Sequence, residues 1–196
     1  MRKIFLLVLP LLFVLILSGC LSAGKKKGRT TVSRSLADEG IKTEKQLCKF
    51  FLANRPDADK EQVKRLAHYY VEEAKFEGIN SDCAFVQMCL ETGFLKFGNL
   101  VKPEMHNYCG LGAIDAAHPG VSFETEQEGV RAHIQHLHAY ATTSNIKLKN
   151  KLIDPRYKYV NPRGKAPTIY GLAGTWAADK EYGTKLDNLL GKLEQY

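Results

Sequence analysis

The chain has 196 residues, 44% of them hydrophobic and 25% charged, which is enough for one domain with its own core. Its net charge of +7 would ordinarily suggest a nucleic-acid partner. Residues 1–34 contain seven basic and no acidic residues, so residues 35–196 are neutral overall. This distribution excludes nucleic acid as an expected partner.

The first 20 residues have the pattern of a secretion signal. Two basic residues precede an apolar run over residues 4–16, which is shorter than the roughly 20 residues that span a bilayer. Residues 17–20 (Leu-Ser-Gly-Cys) resemble a bacterial lipobox, which implies cleavage after residue 19 and lipidation of Cys20. A free Cys20 or an uncleaved anchor are the alternatives. We expect a membrane-anchored lipoprotein of the cell envelope, on the periplasmic or extracytoplasmic face.

Residues 20–43 are predicted to form a flexible basic tether that favours anionic lipid. Its basic residues are Lys25, Lys26, Lys27, Arg29 and Arg34. Residues 44–196 show no internal repeat, so we expect a single domain and a monomer.

Helical periodicity begins at residue 44. A short helix over residues 44–53 is expected to stop at Asn54 and Pro56. A second helix, predicted to end at Gly78, is expected to pack on the third. Its apolar face consists of Val63, Leu66, Ala67, Tyr70, Val71 and Ala74.

The third helix is the most informative element. Within residues 83–90 only Gln87 is strongly polar, so this helix is expected to be buried on every side. Ser81 is its expected N-cap and Gly93 its C-terminal cap. Glu91 then lies in the last turn, where burial and the helix dipole both raise the pKa of a carboxyl. These are the conditions for a general acid, although a glutamate here can also leave the helix into solvent.

The rest of the chain alternates loops and helices. Residues 94–123 are predicted to form loops with one or two short strands around a cleft. Residues 154–175 are predicted to form a second irregular stretch with a short helix near residues 169–172. Thr125 and Glu128 predict a capping box before a fourth helix, and Asp179 the cap of a fifth. The buried faces of these two helices are Val130, Ile134, Leu137 and Ala141, and Tyr182, Leu186, Leu189, Leu190 and Leu193.

Four segments together resemble the glucosaminidase domains of glycoside hydrolase family 73, which are peptidoglycan hydrolases. Residues 85–94 are similar to the family's Gln-x-x-x-Glu-[Ser/Thr]-Gly signature and residues 107–113 to its asparagine- and glycine-containing loop. Residues 123–137 and 176–182 carry the other two similarities. The resemblance covers nearly all of residues 44–196. It implies a mainly helical, lysozyme-like α+β domain with a substrate cleft and room for a small β-hairpin lobe.

The resemblance also implies roles for particular residues. Glu91 would be the acid that protonates the glycosidic oxygen of an N-acetylglucosaminyl bond. Where many members have Tyr-Ala-Thr-Asp-Pro, this chain has Trp-Ala-Ala-Asp-Lys at residues 176–180, which keeps an aromatic ring but not the tyrosine hydroxyl. Tyr108 and Trp176 are expected to stack on sugar rings in the cleft, with Asn107 beside them. Tyr182 is either a sugar contact or a core residue.

A second catalytic carboxylate is not fixed by spacing. Family members often carry one in the region that here contains Asp115, Glu124 and Glu126, whereas Glu128 is better explained as the capping partner. Such pairs are about 5 Å apart in retaining enzymes and further apart in inverting ones. Alternatively, the 2-acetamido group of the substrate serves as the nucleophile.

Metal and thiol chemistry are not expected. His133 and His136 share a helix face, but no third ligand joins them and His138 points elsewhere, so we predict no metal and no cofactor. His106 is a candidate cleft residue. The cysteines of residues 44–196 allow three disulfide connectivities, with buried free thiols as the alternative; they are Cys48, Cys83, Cys89 and Cys109.

The predicted function is therefore peptidoglycan hydrolysis at N-acetylglucosaminyl bonds. Two rivals stay open. A lytic transglycosylase would leave an anhydro sugar end, and a non-catalytic cell-wall-binding lipoprotein would keep the cleft without cleaving the glycan.

Overall fold

The computed structural model describes residues 31–196. The predicted signal peptide, the lipobox with Cys20 and residues 21–30 of the tether lie outside this range and stay predictions. Among residues 31–196, no helix is long and apolar enough to cross a bilayer.

Five α-helices and one hairpin form most of the regular structure of residues 31–196. The helices are α1 (Glu44–Asn54), α2 (Lys60–Glu77), α3 (Ser81–Thr92), α4 (Glu126–Ala141) and α5 (Tyr182–Leu193). Strands β1 (Ala113–Asp115) and β2 (His118–Pro119) pair antiparallel. Short 3-10 helices cover Pro103–Met105, Tyr157–Tyr159 and Ile169–Leu172. The expected single, mainly helical domain with a small β-hairpin is confirmed, and it is consistent with a lysozyme-like fold.

Helix α3 lies at the centre of the domain. Residues 81–89 are all buried, because α1, α2, α4 and α5 pack around this helix. Its apolar sequence predicted this environment. Gly93 ends α3 in the left-handed conformation, at φ 57°, as expected.

Two predicted caps and one predicted capping box differ from the structure. The N-cap of α3 is Asn80, not Ser81, since the Asn80 side chain accepts from the backbone of residues 82 and 83. Thr125 caps α4, but Glu128 bonds to the amide of residue 124 and does not close the box. Asp179 does not cap α5, which starts at Tyr182. Its carboxylate instead accepts from the amide of residue 181 and from a lysine one helical turn into α5.

The prediction of a flexible tether is wrong for residues 32–43. Val32 and Leu36 are buried in the core. Arg34 forms ion pairs with Asp187 and Glu194 on or next to α5. Apolar and charged side chains therefore hold this segment against the domain.

No disulfide joins the four cysteines of residues 44–196 to one another, and three of the four are buried. The alternative without disulfides is the one that the structure supports.

Candidate active site

A cleft of about 580 Å³ opens where the C-terminal end of α3 meets two loops. Residues 97–101 of the first loop form one wall, and residues 107–113 with 176–177 form the other. Glu91 and Thr92 lie at its floor. Among the described residues that line it, Glu91 is the one carboxylate.

The chain turns sharply after α3, and this turn builds the first wall. Phe94 and Leu95 follow Gly93 with positive φ angles of 56° and 63°, which are uncommon for residues with side chains. The Thr92 hydroxyl accepts from the Leu95 amide at 2.9 Å, and Arg55 donates to the Phe94 carbonyl at 2.9 Å. These bonds hold the turn, so the loop leads back across the end of the helix.

Glu91 presents its two carboxyl oxygens differently. Oε1 accepts a hydrogen bond from the Tyr182 hydroxyl and another from the Trp176 indole Nε1 at 3.1 Å. Oε2 receives no hydrogen bond from any group in residues 31–196. It lies on the side of Gly110, where an added Cβ would come within 3.9 Å of it. Since Gly110 lines the cleft, Oε2 faces the space that a substrate would occupy.

The pKa of Glu91 is raised, as the sequence predicted. Burial is the largest cause, and the hydrogen bonds from Tyr182 and Trp176 offset part of it by stabilising the ionised form. A half-buried carboxyl with a raised pKa retains its proton at a pH where an exposed glutamate has lost it. This is the property that a general acid requires.

Tyr182 supports Glu91 and is not a sugar-binding residue. It is 5% exposed, and its hydroxyl also accepts from Gln87 Nε2 at 2.8 Å. The prediction of a substrate contact is therefore wrong for this side chain. Burial beside α3 leaves it no surface that a sugar ring could reach.

Asn107 lines the cleft and Tyr108 does not, and both side chains are buried in the loop. The Asn107 amide bonds to the backbone of Leu111 and Val121, which closes the loop on itself. Tyr108 is 1% exposed, so the prediction that it stacks on a sugar is wrong. Gly129 on α4 explains the burial, because a Cβ there would lie 1.7 Å from the His106 carbonyl oxygen. A glycine lets this loop pack directly on the helix.

Trp176 is half-buried and lines the cleft, as expected. Its ring packs against His133, His136 and Tyr140, with ring centroids 5.2 to 5.9 Å apart. These contacts fix the indole so that its N–H points at Glu91. Many family members have a tyrosine here, and this chain was predicted to lack its hydroxyl. The indole N–H of Trp176 supplies a hydrogen-bond donor at this position.

The three candidate second acids lie outside the lining of the cleft. Asp115 is exposed on β1, where hydrogen bonds from His118 lower its pKa. Glu126 accepts two hydrogen bonds from Arg65 and one from Gln62. Burial is the largest single influence and raises the pKa of Glu126, but these hydrogen bonds and the Arg65 charge together lower it overall. Glu124 is exposed before α4. A catalytic role for any of the three stays a prediction.

Comparison with known proteins agrees with this geometry. A family model described as glucosaminidase, mannosyl-glycoprotein endo-beta-N-acetylglucosaminidase, matches residues 67–195. The chain belongs to the glucosaminidase family. It is also similar to an uncharacterized protein of Borreliella burgdorferi, with 47% identity over 150 residues that cover 76% of this chain and 72% of that protein. No solved structure gives a significant match.

Membership of the glucosaminidase family makes the chain a glycoside hydrolase of the peptidoglycan-hydrolase type. The matched range contains every element that builds the cleft, from α3 to α5. The expected family is therefore confirmed.

The three histidines of α4 are internal. His133 and His138 are fully buried and His136 is 8% exposed, hydrogen-bonded to Asp154 at 2.7 Å. His106 bonds to the Phe123 carbonyl and does not line the cleft. Within residues 31–196, no group of three histidine, cysteine or acidic side chains is arranged to hold a metal ion.

Two residues near the acid were not assigned a role from the sequence. Gln87 bonds to Tyr182, and His133 bonds to Gln87 at 3.0 Å. The signal for Gln87 was present, since it is the one strongly polar residue of an otherwise apolar helix and had to find a buried partner. For His133 nothing in the local sequence marked the contact.

Proposed function

We propose that this chain is an endo-β-N-acetylglucosaminidase of peptidoglycan, with Glu91 as its general acid. The supporting observation is the place of Glu91 in the cleft. Its carboxyl is half-buried, its hydrogen-bond donors within the described part of the chain are neutral, and one of its oxygens is open to the substrate space. Glycosidases use such a carboxyl to protonate the departing oxygen.

In the proposed reaction, Glu91 gives its proton to the glycosidic oxygen as the bond from that oxygen to C1 breaks. The leaving sugar then departs as a neutral alcohol. The carboxylate that remains keeps its hydrogen bonds to Tyr182 and Trp176, which favour the charge developed on it.

We propose that the second catalytic group is the 2-acetamido oxygen of the substrate. Glu91 is the one carboxylate among the described residues that line the cleft, and Glu126 is already paired with Arg65. The acetamido oxygen would attack C1 to form a cyclic intermediate, and water activated by the Glu91 carboxylate would open it. The product keeps the anomeric configuration. Proton NMR of the first-formed anomer measures this, and an inverted product would contradict the proposal.

A lytic transglycosylase is the second candidate, because that reaction also requires a single carboxylate. The two activities differ in their products. Hydrolysis at N-acetylglucosaminyl bonds leaves a reducing N-acetylglucosamine end, whereas the transglycosylase leaves an anhydro-muramyl end.

The decisive experiment is a digestion of purified sacculi with the full chain in detergent, as wild type and as Glu91→Gln. Mass spectrometry identifies the released fragments. Reducing N-acetylglucosamine ends that are absent with the variant are the expected result. Anhydro-muramyl ends would contradict the proposal and indicate a lytic transglycosylase. Binding to sacculi without release of fragments by either protein would indicate a binding module.

We further propose that Cys20 carries a lipid that anchors the enzyme in the cell envelope. The support is the sequence of residues 1–20, with its apolar run and lipobox-like end. Metabolic labelling with palmitate tests it. Label on the wild type and none on Cys20→Ser is expected, and equal label on both would contradict a lipid at this cysteine.

A further inference from the structure

A chain of four hydrogen-bonded side chains lies behind Glu91, on the side away from the cleft. Tyr70 contacts His133 Nδ1 at 2.8 Å, and His133 Nε2 contacts Gln87 Oε1 at 3.0 Å. Gln87 Nε2 donates to the Tyr182 hydroxyl at 2.8 Å, and that hydroxyl donates to Glu91. The four residues come from α2, α4, α3 and α5, and none is more than 5% exposed.

The donor and acceptor atoms allow these hydrogen bonds to run in one direction, in which each side chain donates to the next one towards Glu91. Gln87 Oε1 can only accept, so His133 must carry its proton on Nε2. Burial lowers the pKa of His133 to about 3, so the ring is neutral and its Nδ1 accepts from Tyr70. The Gln87 amide occupies a lone pair of Tyr182. The proton of that hydroxyl therefore points to Glu91.

The opposite direction is disfavoured at the Glu91 end. It would require the Gln87 amide to turn over, His133 to change tautomer, and Glu91 to carry its proton on Oε1 and donate to Tyr182. Oε1 also receives the Trp176 indole N–H at 3.1 Å, and an indole cannot accept a hydrogen bond. A proton on Oε1 would crowd that donor.

We propose that the chain from Tyr70 through His133, Gln87 and Tyr182 keeps Glu91 Oε1 an acceptor, so that the acid proton is carried on Oε2, which faces the cleft. These four side chains are positioning residues, and their catalytic consequence rests on the proposed role of Glu91 as the acid. The proton leaves Oε2 for the glycosidic oxygen as the bond from that oxygen to C1 breaks. The protons of the four hydrogen-bonded side chains stay in place, and Tyr182 continues to donate to the carboxylate.

The other titratable groups near Glu91 do not supply this function. Cys109 on the loop is a neutral thiol, because burial raises its pKa. Burial likewise raises the pKa of Tyr182, with the charge of Glu91 adding to the effect, so its hydroxyl keeps its proton. His136 on α4 packs against the Trp176 ring and is hydrogen-bonded to Asp154. The stabilisation of the ionised acid is thus left to the hydrogen-bond donors.

The direction of this series of hydrogen bonds is tested without substrate. The measurement is NMR of the full-length protein in detergent with ¹⁵N-labelled histidine. Loss of signal in His133→Gln assigns the ring. A neutral ring with its proton on Nε2 from pH 5 to 8 is expected. A proton on Nδ1, or a charged ring, would overturn the proposed direction. This answer does not depend on whether the protein hydrolyses peptidoglycan.

The effect on the acid is tested with Tyr182→Phe. We expect kcat to fall about 10-fold with little change in KM, because one hydrogen bond to a charged group is lost. The pKa of Glu91 should rise when its carboxylate loses this donor, so the alkaline limb of the kcat profile should move to higher pH. A purely structural role would lower activity without moving the limb.

Tyr157→Phe is the matched control. It removes a tyrosine hydroxyl that is also hydrogen-bonded to a histidine of α4, His138, at 3.0 Å, but this pair does not reach Glu91. The alkaline limb should stay in place in this variant. An unmoved limb in Tyr182→Phe, or equal movement in both variants, would overturn the proposal. Should the protein prove inactive, ¹³C NMR titration of the Glu91 carboxyl gives the same comparison.

Discussion

Glu73 and Glu91 are both glutamates on helices of the core, yet they meet opposite surroundings. Glu73 on α2 is 2% exposed, and both of its oxygens are bonded. Arg131 contributes two hydrogen bonds at 2.9 Å, and Gln127 and Asn150 contribute one each. One cation and two further hydrogen-bond donors make this carboxylate a fixed part of the structure.

Glu91 pairs with no cation of residues 31–196. Its partners are the hydroxyl of Tyr182 and the indole of Trp176, both on one oxygen, and the other oxygen is open. Glu73 is the more buried of the two, so depth of burial does not identify an acid. The charge of the partners and the presence of an oxygen without a hydrogen bond distinguish Glu91 from Glu73.

The largest expected effect is that of Glu91→Gln. Turnover on glycan strands should fall by roughly 10²- to 10⁴-fold, the usual contribution of a positioned general acid. The amide can still accept from Tyr182 and Trp176, so circular dichroism and thermal unfolding should show a folded protein. Equal turnover in a folded variant would contradict the distinction between the two glutamates.

The second prediction concerns the other side of the comparison. Arg131→Met leaves the Glu73 carboxylate buried without its cation and should lower the free energy of unfolding by roughly 3 kcal/mol. Urea unfolding measures this. Arg65→Met is the control, because its pair with Glu126 is more exposed and should contribute at most about 1 kcal/mol. Equal losses in the two variants would mean that burial of the pair does not matter.

A smaller effect is expected from Trp176→Phe, which removes one of the two donors to Glu91. Because the indole N–H favours the ionised form, its loss should raise the pKa of Glu91 and move the alkaline limb of activity to higher pH. We expect kcat to fall about 10-fold. A pH–rate profile measures both, and a limb that moves to lower pH would be inconsistent with this role.

The stability of the domain should also depend on pH through His133. Its pKa is about 3 in the folded protein and about 6.5 when exposed, so the unfolded chain binds a proton that the folded domain does not. Its contribution is complete above pH 6.5 and is lost as pH falls towards 3, by up to about 1.4 kcal/mol per pH unit. Urea unfolding at several pH values should give a shallower dependence for His133→Gln. An unchanged slope would mean that the ring is protonated in the folded domain.

The smallest effect is expected from Asp115→Asn. This carboxylate is exposed and bonded to His118, away from the lining of the cleft. If the substrate supplies the nucleophile, kcat should change less than about twofold, because an exposed side chain outside the cleft makes no contact in the transition state. A loss comparable to that of Glu91→Gln would make Asp115 the second acid.

The sequence predicted the helices and the place of Glu91 because both depend on local order. Apolar spacing located α2, α3 and α4, and a lone acid at the end of an apolar helix indicated a raised pKa. The cap of α3 was assigned to Ser81 because Asn80 and Ser81 are both suitable. Asn80 is the cap, because its side-chain amide also donates to the carbonyls of Ser33 and Ser35. These two residues belong to a segment that the sequence did not predict to be ordered.

The surroundings of Glu91 depend on contacts between distant parts of the chain. Tyr182 is 91 residues away in sequence, and nothing near it indicates that its hydroxyl meets Glu91. Tyr108 lies in a glycine-containing loop, where an aromatic residue is expected to be exposed. The loop is instead drawn onto α4 at Gly129, and the ring is buried with it.

The most direct test of Glu91 as the acid is the dependence of the Glu91→Gln defect on the leaving group. The ratio of wild-type to variant kcat/KM, which reports bond cleavage and not the later opening of the cyclic intermediate, is measured on a natural glycan and on a substrate with a dinitrophenyl leaving group, which departs without protonation. We predict a ratio of roughly 10² to 10⁴ on the glycan and a ratio near one for bond cleavage on the activated substrate. Equal ratios on the two substrates would contradict proton donation by Glu91.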